Sequence, residues 1–550
     1  MKKRRSWIIG LITCIGIILF SFTPPADRYF EIAKNLEIFA SVFKEVNALY
    51  VDDINPNKTI RTGIDAMLNS LDPYTNYISE DQVEDFRTQN TGQYGGIGAV
   101  TRTLGKRTVV TMLYENYPAQ KNGLKIGDEI LKMDGRDLSK LTIDEANQLM
   151  RGQVGTPVKL TVKRVGTNEP FDIEFKREKI KISNVPYYGM IAEDVGYVQL
   201  TEFTVDAGKE VKNAVVALKE KGAKNIILDL RGNPGGLLHE AVNICNIFIP
   251  KGKKVVDTKG KITENNITYE TLNNPIDLEI PVVVLINRGS ASASEIVAGT
   301  LQDYDRAVIV GEKSYGKGLV QVPRQLSYNS QVKITTAKYY TPTGRCIQVL
   351  DYTHRREDGS VGSIPDSLKK EFVTSKGRKV YDGGGIDPDI QMESREPAAI
   401  TRSLYTEGFL FDFATQYAHT HASIAEAKKF SLNDKEYTEF VNWLKSKSFS
   451  YQLPLEEEVN DLIASAKKER FYNDMKPQFE LIQQRLAEAH KTDLILFKDQ
   501  IQPLLEEEIA SRYYFEKGIV ESRFKYDEQV KKSIDLLHTP ADYKKILRIN

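Results

Sequence analysis

PVVVLINRGSASASEIVAGTLQDYDRAVIVGEKSYGKGLVQ, residues 281–321 of a 550-residue chain, sets a serine cluster and a lysine at opposite ends of one compact unit. Its first half reads as a buried strand, Pro281 to Asn287, then a turn, Arg288 to Ser292, then a helix from Ala293 to about Asp303. The same design occurs upstream as strand Asn225 to Leu230, turn Arg231-Gly-Asn-Pro-Gly-Gly236 and helix Leu237 to Phe248. Two such units predict an α/β core. With their strands side by side, both turns open at one sheet edge, where α/β proteins place ligands, and Gly235 and Gly236 stand beside the serines.

A serine at the mouth of a strand-to-helix turn has a catalytic advantage. The amide of Ala293, at the helix start, faces the space before the hydroxyl and can stabilise developing negative charge. A second donor can come from Gly235 or Gly236, since glycine lets backbone approach a substrate closely. Ser290, Ser292 and Ser294 can also cap the helix, a common use of serine, so one can cap while another reacts. For a base, His239 lies on an apolar helical stretch and reads as a packed or surface residue. Lys317, in GEKSYGKG after the strand Ala307 to Val310, is the other candidate. Acting as a base near neutrality requires lowering its pKa by about 3 units, roughly 4 kcal/mol, through desolvation. Glycines 316 and 318 and the following LVQV suit that placement, and Gln321, four residues on, can orient the amine. The same residues nearly spell a phosphate-binding GxxxxGK[ST] loop, but glycine replaces the hydroxyl and a strand follows instead of a helix.

Outward from this core, Gly92 to about Glu178 consists of short β-branched strands broken by glycine around a helical DEANQLMRG. The segment resembles a PDZ domain, with Gly95-Gly96-Ile97-Gly98 at the carboxylate-binding loop. Pro118-Ala119, Gly123-Leu124, Gly127-Asp128 and Ile130 match a further run of that family. A glycine loop offers amides to a terminal carboxylate while a strand edge accepts the peptide. Ile97 and Leu149 are expected to line the side-chain pocket. Residues 26–91 read as a helical N-terminal region that can dimerise, and 398–550 as a helical C-terminal extension with solvated charged faces that can alternatively form a dimer interface or seat an adaptor.

The start, MKKRRSWIIGLITCIGIILFSFTPP, has the basic head and apolar run of an export signal. Trp7 to Phe22 as a helix is about 24 Å long, short for a hydrocarbon core of about 30 Å, yet Pro24 and Pro25 sit where cleavage is expected. Cleaved signal and short membrane anchor both stand for 1–25. Equal totals of 75 basic and 75 acidic residues give no global basic field, which argues against nucleic acid as a partner. Cys14, Cys245 and Cys346 form no CxxC, so neither a disulfide framework nor a zinc site is expected. His419 and His421, the one close histidine pair, read as a solvated turn.

Taken in order, Leu71-Asp-Pro-Tyr74, the PDZ-like segment, DLRGNPGG at 229–236, SASASEI at 290–296, GxxxxGKGxxQ at 311–321, YYTPTGR at 339–345 and GGIDPDI at 384–390 resemble the carboxyl-terminal processing peptidases, also called tail-specific proteases. The resemblance implies a multidomain α+β chain: helical N-terminal region, PDZ-like β domain at 92–178, α/β (crotonase-like) serine peptidase core at 179–397, and the helical extension. It implies Ser292 as nucleophile, Lys317 as base, Gln321 as orienting residue, and Ala293 with Gly235 or Gly236 as oxyanion donors. It further implies an envelope endopeptidase, on the periplasmic side, that docks free apolar protein C-termini on its PDZ domain and uses neither metal nor nucleotide. A catalytically silent scaffold that binds tails is the alternative.

Overall fold

The computed structural model describes residues 26–549, so the leader read as signal or anchor lies outside the described residues. Among those described, no helix is long and apolar enough to cross a membrane. The chain divides into two compact units, one ending at Tyr77 and one beginning at Ile78. The first holds helices α1 (Ala26–Leu49) and α2 (Pro56–Asn69). Asn55 starts α2 by accepting the Lys58 N–H at 3.1 Å, with Pro56 at the first helical position, where no N–H is needed.

In the second unit a short helix, Val83–Thr91, leads into a β domain: β1 (Gln93–Gly96), β2 (Ala99–Leu104), β3 (Arg107–Leu113), β4 (Glu129–Met133), helix α3 (Ile143–Met150), β5 (Pro157–Lys163), β6 (Phe171–Lys176) and β7 (Glu178–Lys181). An antiparallel sheet runs in the order β2-β3-β4-β5-β6, while β1 pairs with β7 and joins the domain's entry to its exit. In β5, Val158, Leu160 and Val162 are buried between more exposed neighbours, the two-residue period of a strand with one face in a core. Helix α3 starts at a capping box. Thr142 Oγ1 accepts the Glu145 N–H at 3.3 Å and Glu145 Oε2 accepts the Thr142 N–H at 2.8 Å.

The α/β domain follows with β8 (Tyr187–Met190), β9 (Val195–Gln199), α4 (Ala207–Glu220), β10 (Asn225–Asp229), α5 (Leu238–Phe248), β11 (Lys254–Gly260), β12 (Ile267–Glu270), β13 (Val282–Ile286), α6 (Ala293–Asp303), β14 (Val308–Gly311), β15 (Leu319–Gln325), β16 (Gln331–Tyr340) and β17 (Ile390–Gln391). Its main sheet has the order β8-β9-β10-β13-β14-β17, antiparallel at β8/β9 and parallel beyond. Every residue of β10 and β13 is buried, as expected of parallel strands covered on both faces. Alternate residues divide between the faces. Ile226, Leu228, Val282, Val284 and Ile286 pack with α4, α5 and α6, and Ile227, Val283, Leu285, Val308 and Val310 pack on the other side.

That other side is closed from the far end of the chain. The longer C-terminal helices are α7 (Ala399–Thr406), α8 (Phe409–Thr420), α9 (Asp434–Lys445), α10 (Pro454–Lys468), α11 (Tyr472–Ala489), α12 (Lys498–Arg523), α13 (Glu528–Leu537) and α14 (Pro540–Leu547). Helix α12 is broken at Phe515, with φ 51° and ψ −140°. Before the break this region supports the β domain: Phe411 belongs to that domain's core, Phe515 packs against it, and Arg107 grips Asp412 at 3.2 and 2.8 Å. After the break, Val520, Val530, Leu536, Leu537, Tyr543 and Leu547 cover the second face of the main sheet. The tail helices therefore complete the α/β domain as well as following it.

Candidate active site

The turns after β10 and β13 emerge side by side, because Ile226–Asp229 of the first strand pairs with Val282–Leu285 of the second. Side chains and backbone then stitch them together. The Gly232 N–H donates to Asn287 Oδ1 at 2.8 Å, the Ala291 N–H to the Asn233 carbonyl at 3.0 Å, and Ser290 Oγ to the Leu230 carbonyl at 2.8 Å. Ser294 Oγ donates to the Asn233 carbonyl at 2.9 Å. Ser290 and Ser294 are fully buried and their hydroxyls are spent on this join.

Ser292 differs from both. It is partly exposed, precedes the first residue of α6, makes no capping hydrogen bond with its side chain, and sits at φ 55°, ψ −111°. That conformation costs a non-glycine residue on the order of 1–3 kcal/mol and persists only where its surroundings enforce it. The main enforcer is Glu295, which is fully buried. Its Oε2 accepts the N–H of Ser292 at 2.8 Å and of Lys317 at 2.9 Å, while its Oε1 accepts Ser314 Oγ at 2.6 Å and the Gly316 N–H at 2.7 Å. Burial pushes this carboxyl above the ordinary carboxylate range, and the four donors pull it back. One carboxyl group thus ties the serine turn to the lysine loop.

Lys317 lies between glycines that sterics demand. A Cβ on Gly316, at φ 87°, would stand 2.0 Å from Val349 Cγ2, and one on Gly318 would stand 2.8 Å from the Gln348 backbone nitrogen. The loop leads into β15, so the helix that a phosphate-binding loop requires is absent here. A register shift falls between Val320 and Gln321, and the Gln321 amide nitrogen donates to Thr335 Oγ1 at 3.1 Å, which leaves its Oε1 as the acceptor end.

The two candidate glycine amides differ. A Cβ on Gly235 would stand 2.8 Å from the Ala293 nitrogen and 2.9 Å from Ser292 Cβ, so this residue touches the serine turn, but its own N–H is bonded to Asn233 Oδ1 at 2.9 Å. The amides of Gly236 and Ala293 have no protein acceptor among the described residues. His239 is exposed on α5, 3.5 Å from Glu240. His421 stacks on Tyr417 at 3.9 Å, and His419 packs over Gly166. Among the described residues no group of three or more His, Cys, Asp and Glu side chains is placed to hold a metal ion.

In the β domain, Gly95 and Gly96 belong to β1 and only Ile97 and Gly98 form the loop. The Gly98 amide has no protein acceptor among the described residues, whereas Gly96 bridges Arg151 at the end of α3 and the Ile97 carbonyl accepts the Ala119 N–H at 2.9 Å. The Ile97 side chain is buried in the domain core and Leu149 is half-buried against it. Thr101 of β2 reaches Asn147 Oδ1 of α3 at 3.4 Å, so α3 lies along the β2 edge of the sheet.

Sequence reading missed Glu295, Asn233 and Tyr339. Glu295 had a visible signal: serine followed three residues later by glutamate is the capping-box pattern. Asn233 and Tyr339 lie in the quoted DLRGNPGG and YYTPTGR stretches, but their contacts with the Ala291 amide and with Ser292 and Lys317 join segments remote in sequence, which local patterning does not show.

The chain is similar to several characterised families and proteins. Family models described as peptidase family S41, PDZ domain, and probable PDZ-protease C-terminal helical domain match residues 194–353, 95–175 and 400–537. A carboxy-terminal-processing protease of Bartonella bacilliformis is 36% identical over 357 residues, 64% of this chain and 82% of that protein. A probable CtpA-like serine protease of Staphylococcus aureus is 39% identical over 316 residues, 57% of this chain and 62% of that protein. Among solved structures, the photosystem II D1 C-terminal processing protease is 25% identical over 64% of this chain and 92% of its own, with a TM-score of 0.35.

Proposed function

The chain belongs to the carboxy-terminal-processing proteases, a family of serine-type peptidases, and on that premise we propose that it cleaves proteins presented by their free C-termini, using Ser292 as nucleophile and Lys317 as its base. The observation that carries this reading is the shared grip of Glu295 on the amides of residues 292 and 317. It supports a serine held in strained, helix-terminal geometry against a loop bearing one lysine between two obligatory glycines.

In this mechanism Ser292 Oγ attacks the scissile carbonyl and its proton passes to the neutral Lys317 amine. The tetrahedral oxyanion is received by the amides of Ala293 and Gly236, the two without a protein acceptor; each such donor is worth about 3–4 kcal/mol in a preorganised site. Collapse expels the amine, which takes the proton back from Lys317. Water, giving its proton to the same lysine, attacks the ester carbonyl, and as the acyl–Oγ bond breaks Lys317 returns that proton to Ser292 Oγ. Gln321, with Oε1 as its acceptor end, orients the lysine. Loss of either member of such a pair removes most of the rate, because the two act as a unit.

Substrate selection is assigned to the β domain. The Gly98 amide, without a protein acceptor in the glycine-rich loop, suits a terminal carboxylate, and the edge of β2 facing α3 suits an added strand. The basic, apolar leader supports an envelope location, periplasmic and either released or anchored.

The test is digestion of an unstructured reporter with an apolar C-terminal tail by the chain from Ala26 onward. Wild type should cleave it, cleave an amidated tail more slowly, and Ser292→Ala and Lys317→Ala should bind the tail without turnover. Retained turnover in either variant overturns the pair; tail binding without cleavage by the wild type favours a scaffold.

A further inference from the structure

We propose that Tyr339 is a positioning residue for Ser292 and Lys317, fixing the carbonyl ends of the same two residues whose amide ends Glu295 fixes. The inference rests on the reading of Ser292 and Lys317 as nucleophile and base, and it adds a residue from a strand that neither turn contains. Tyr339 lies near the end of β16 and is 1% exposed. Its N–H donates to the Gly318 carbonyl at 3.0 Å, which sets β16 alongside the lysine loop. From there its phenol reaches back into the site. The hydroxyl lies 2.5 Å from the Lys317 carbonyl and 3.1 Å from the Ser292 carbonyl, both within reach of its single proton.

The two clamps are complementary. Glu295 supplies acceptors to two N–H groups, and Tyr339 supplies a donor to two carbonyls. With both peptide units of the turn and both of the loop held, the relative placement of the two Cα atoms is set by two buried side chains. The Ser292 carbonyl already accepts the Ile296 N–H at 2.9 Å as part of α6, so it does not need Tyr339 for its hydrogen-bond balance. What the phenol adds is a link from that carbonyl to residue 317. Placement is where the catalytic return lies: an error of about 1 Å between reacting groups costs on the order of a hundredfold in rate.

A buried tyrosine can also be structural, with its hydroxyl merely satisfied by nearby carbonyls. The two roles separate in Tyr339→Phe, which keeps the ring and its packing and deletes only the donor. A purely structural role moves the melting temperature and leaves turnover alone. A positioning role lowers kcat by roughly ten- to a hundredfold while KM, tail affinity and the circular dichroism spectrum stay near wild type, because the β domain and the sheet are untouched.

The experiment measures kcat and KM of the full chain from Ala26 on the tailed reporter for wild type, Tyr339→Phe, Glu295→Gln and the double variant, beside Ser292→Ala and Lys317→Ala. The expected result is a kcat loss in each single variant and less than multiplicative loss in the double, since both act on one distance. A Tyr339→Phe kcat within about twofold of wild type, with Ser292→Ala and Lys317→Ala inactive, overturns this inference and leaves the pair standing. Turnover retained in Lys317→Ala fails the pair itself. Should Tyr339→Phe not fold, Glu295→Gln combined with Tyr339→Trp or Tyr339→His reads the same clamp, and full multiplicativity in a folded combination overturns it.

Discussion

The two faces of the main sheet are equally buried and differently supplied. One is closed by α4, α5 and α6, which alternate with the strands they cover, so each helix follows directly from a turn that reaches the site. The other is closed by Val520 and the helices α13 and α14, which arrive after the whole β domain support has been built. Val282 and Val284 on the first face and Val283 and Leu285 on the second are all 0% exposed. The two turns of the candidate site therefore sit on local units, while half the core that stiffens them is borrowed from the end of the chain.

The largest effect should come from removing the borrowed half. A chain ending at residue 515 loses six side chains that cover the second face. At about 1.5–3 kcal/mol each their burial is on the order of 10 kcal/mol, comparable with the roughly 5–15 kcal/mol net stability of a domain. Such a chain should show no cooperative thermal unfolding of the α/β domain and should bind apolar dyes. Cooperative melting near the full-length temperature would erase the contrast between the faces.

The same contrast explains what was legible in the sequence. The units Asn225–Phe248 and Val282–Asp303 were readable because strand, turn and helix are consecutive and the apolar period changes within a few residues. The PDZ-like segment was readable for the same reason, since its glycines occur where the local backbone needs them, while among Ser290, Ser292 and Ser294 the residues alone made no choice. The second cover was not. Helices α13 and α14 show ordinary amphipathic periodicity, and nothing local distinguishes a face that meets solvent from one that meets a distant sheet. The difference between the Gly235 and Gly236 amides was hidden too, because it turns on the Asn233 side chain taking the first.

An intermediate effect is expected where the borrowed half touches the site. Arg231, inside the turn that leads to Gly236, holds Asp229 and also forks to Asp527, the residue that caps α13, at 3.1 and 2.7 Å. Burial works against its charge, but the two carboxylates outweigh that and hold its pKa well above the usual arginine value. Asp527→Asn keeps the cap and removes one charge from a largely buried cation, so it should cost about 1–3 kcal/mol in stability. It should also lower kcat severalfold with KM unchanged, as the turn loosens. Unchanged kcat at reduced stability would mean that the distant helices support the sheet without bracing the site.

The smallest effect should come from the other junction of the C-terminal region, where Arg107 of β3 meets Asp412 of α8. Both side chains are more than a third exposed, at 40% and 35%, so the pair is screened by solvent and worth at most about 1 kcal/mol. Asp412→Asn keeps an acceptor for the guanidinium and should leave melting temperature and kcat nearly unchanged. The packing of Phe411 and Phe515 into the β-domain core remains to hold the domain. Faster amide exchange is then expected only in β2, β3 and α8, where this fork and the Arg102 bond to the Thr406 carbonyl at 3.0 Å are the polar ties. If Asp412→Asn instead lowers kcat as much as Asp527→Asn, the mount of the β domain and the brace of the catalytic turn form one coupled element running through the break at Phe515. In that case the tail-binding domain and the borrowed sheet cover answer to the same helix.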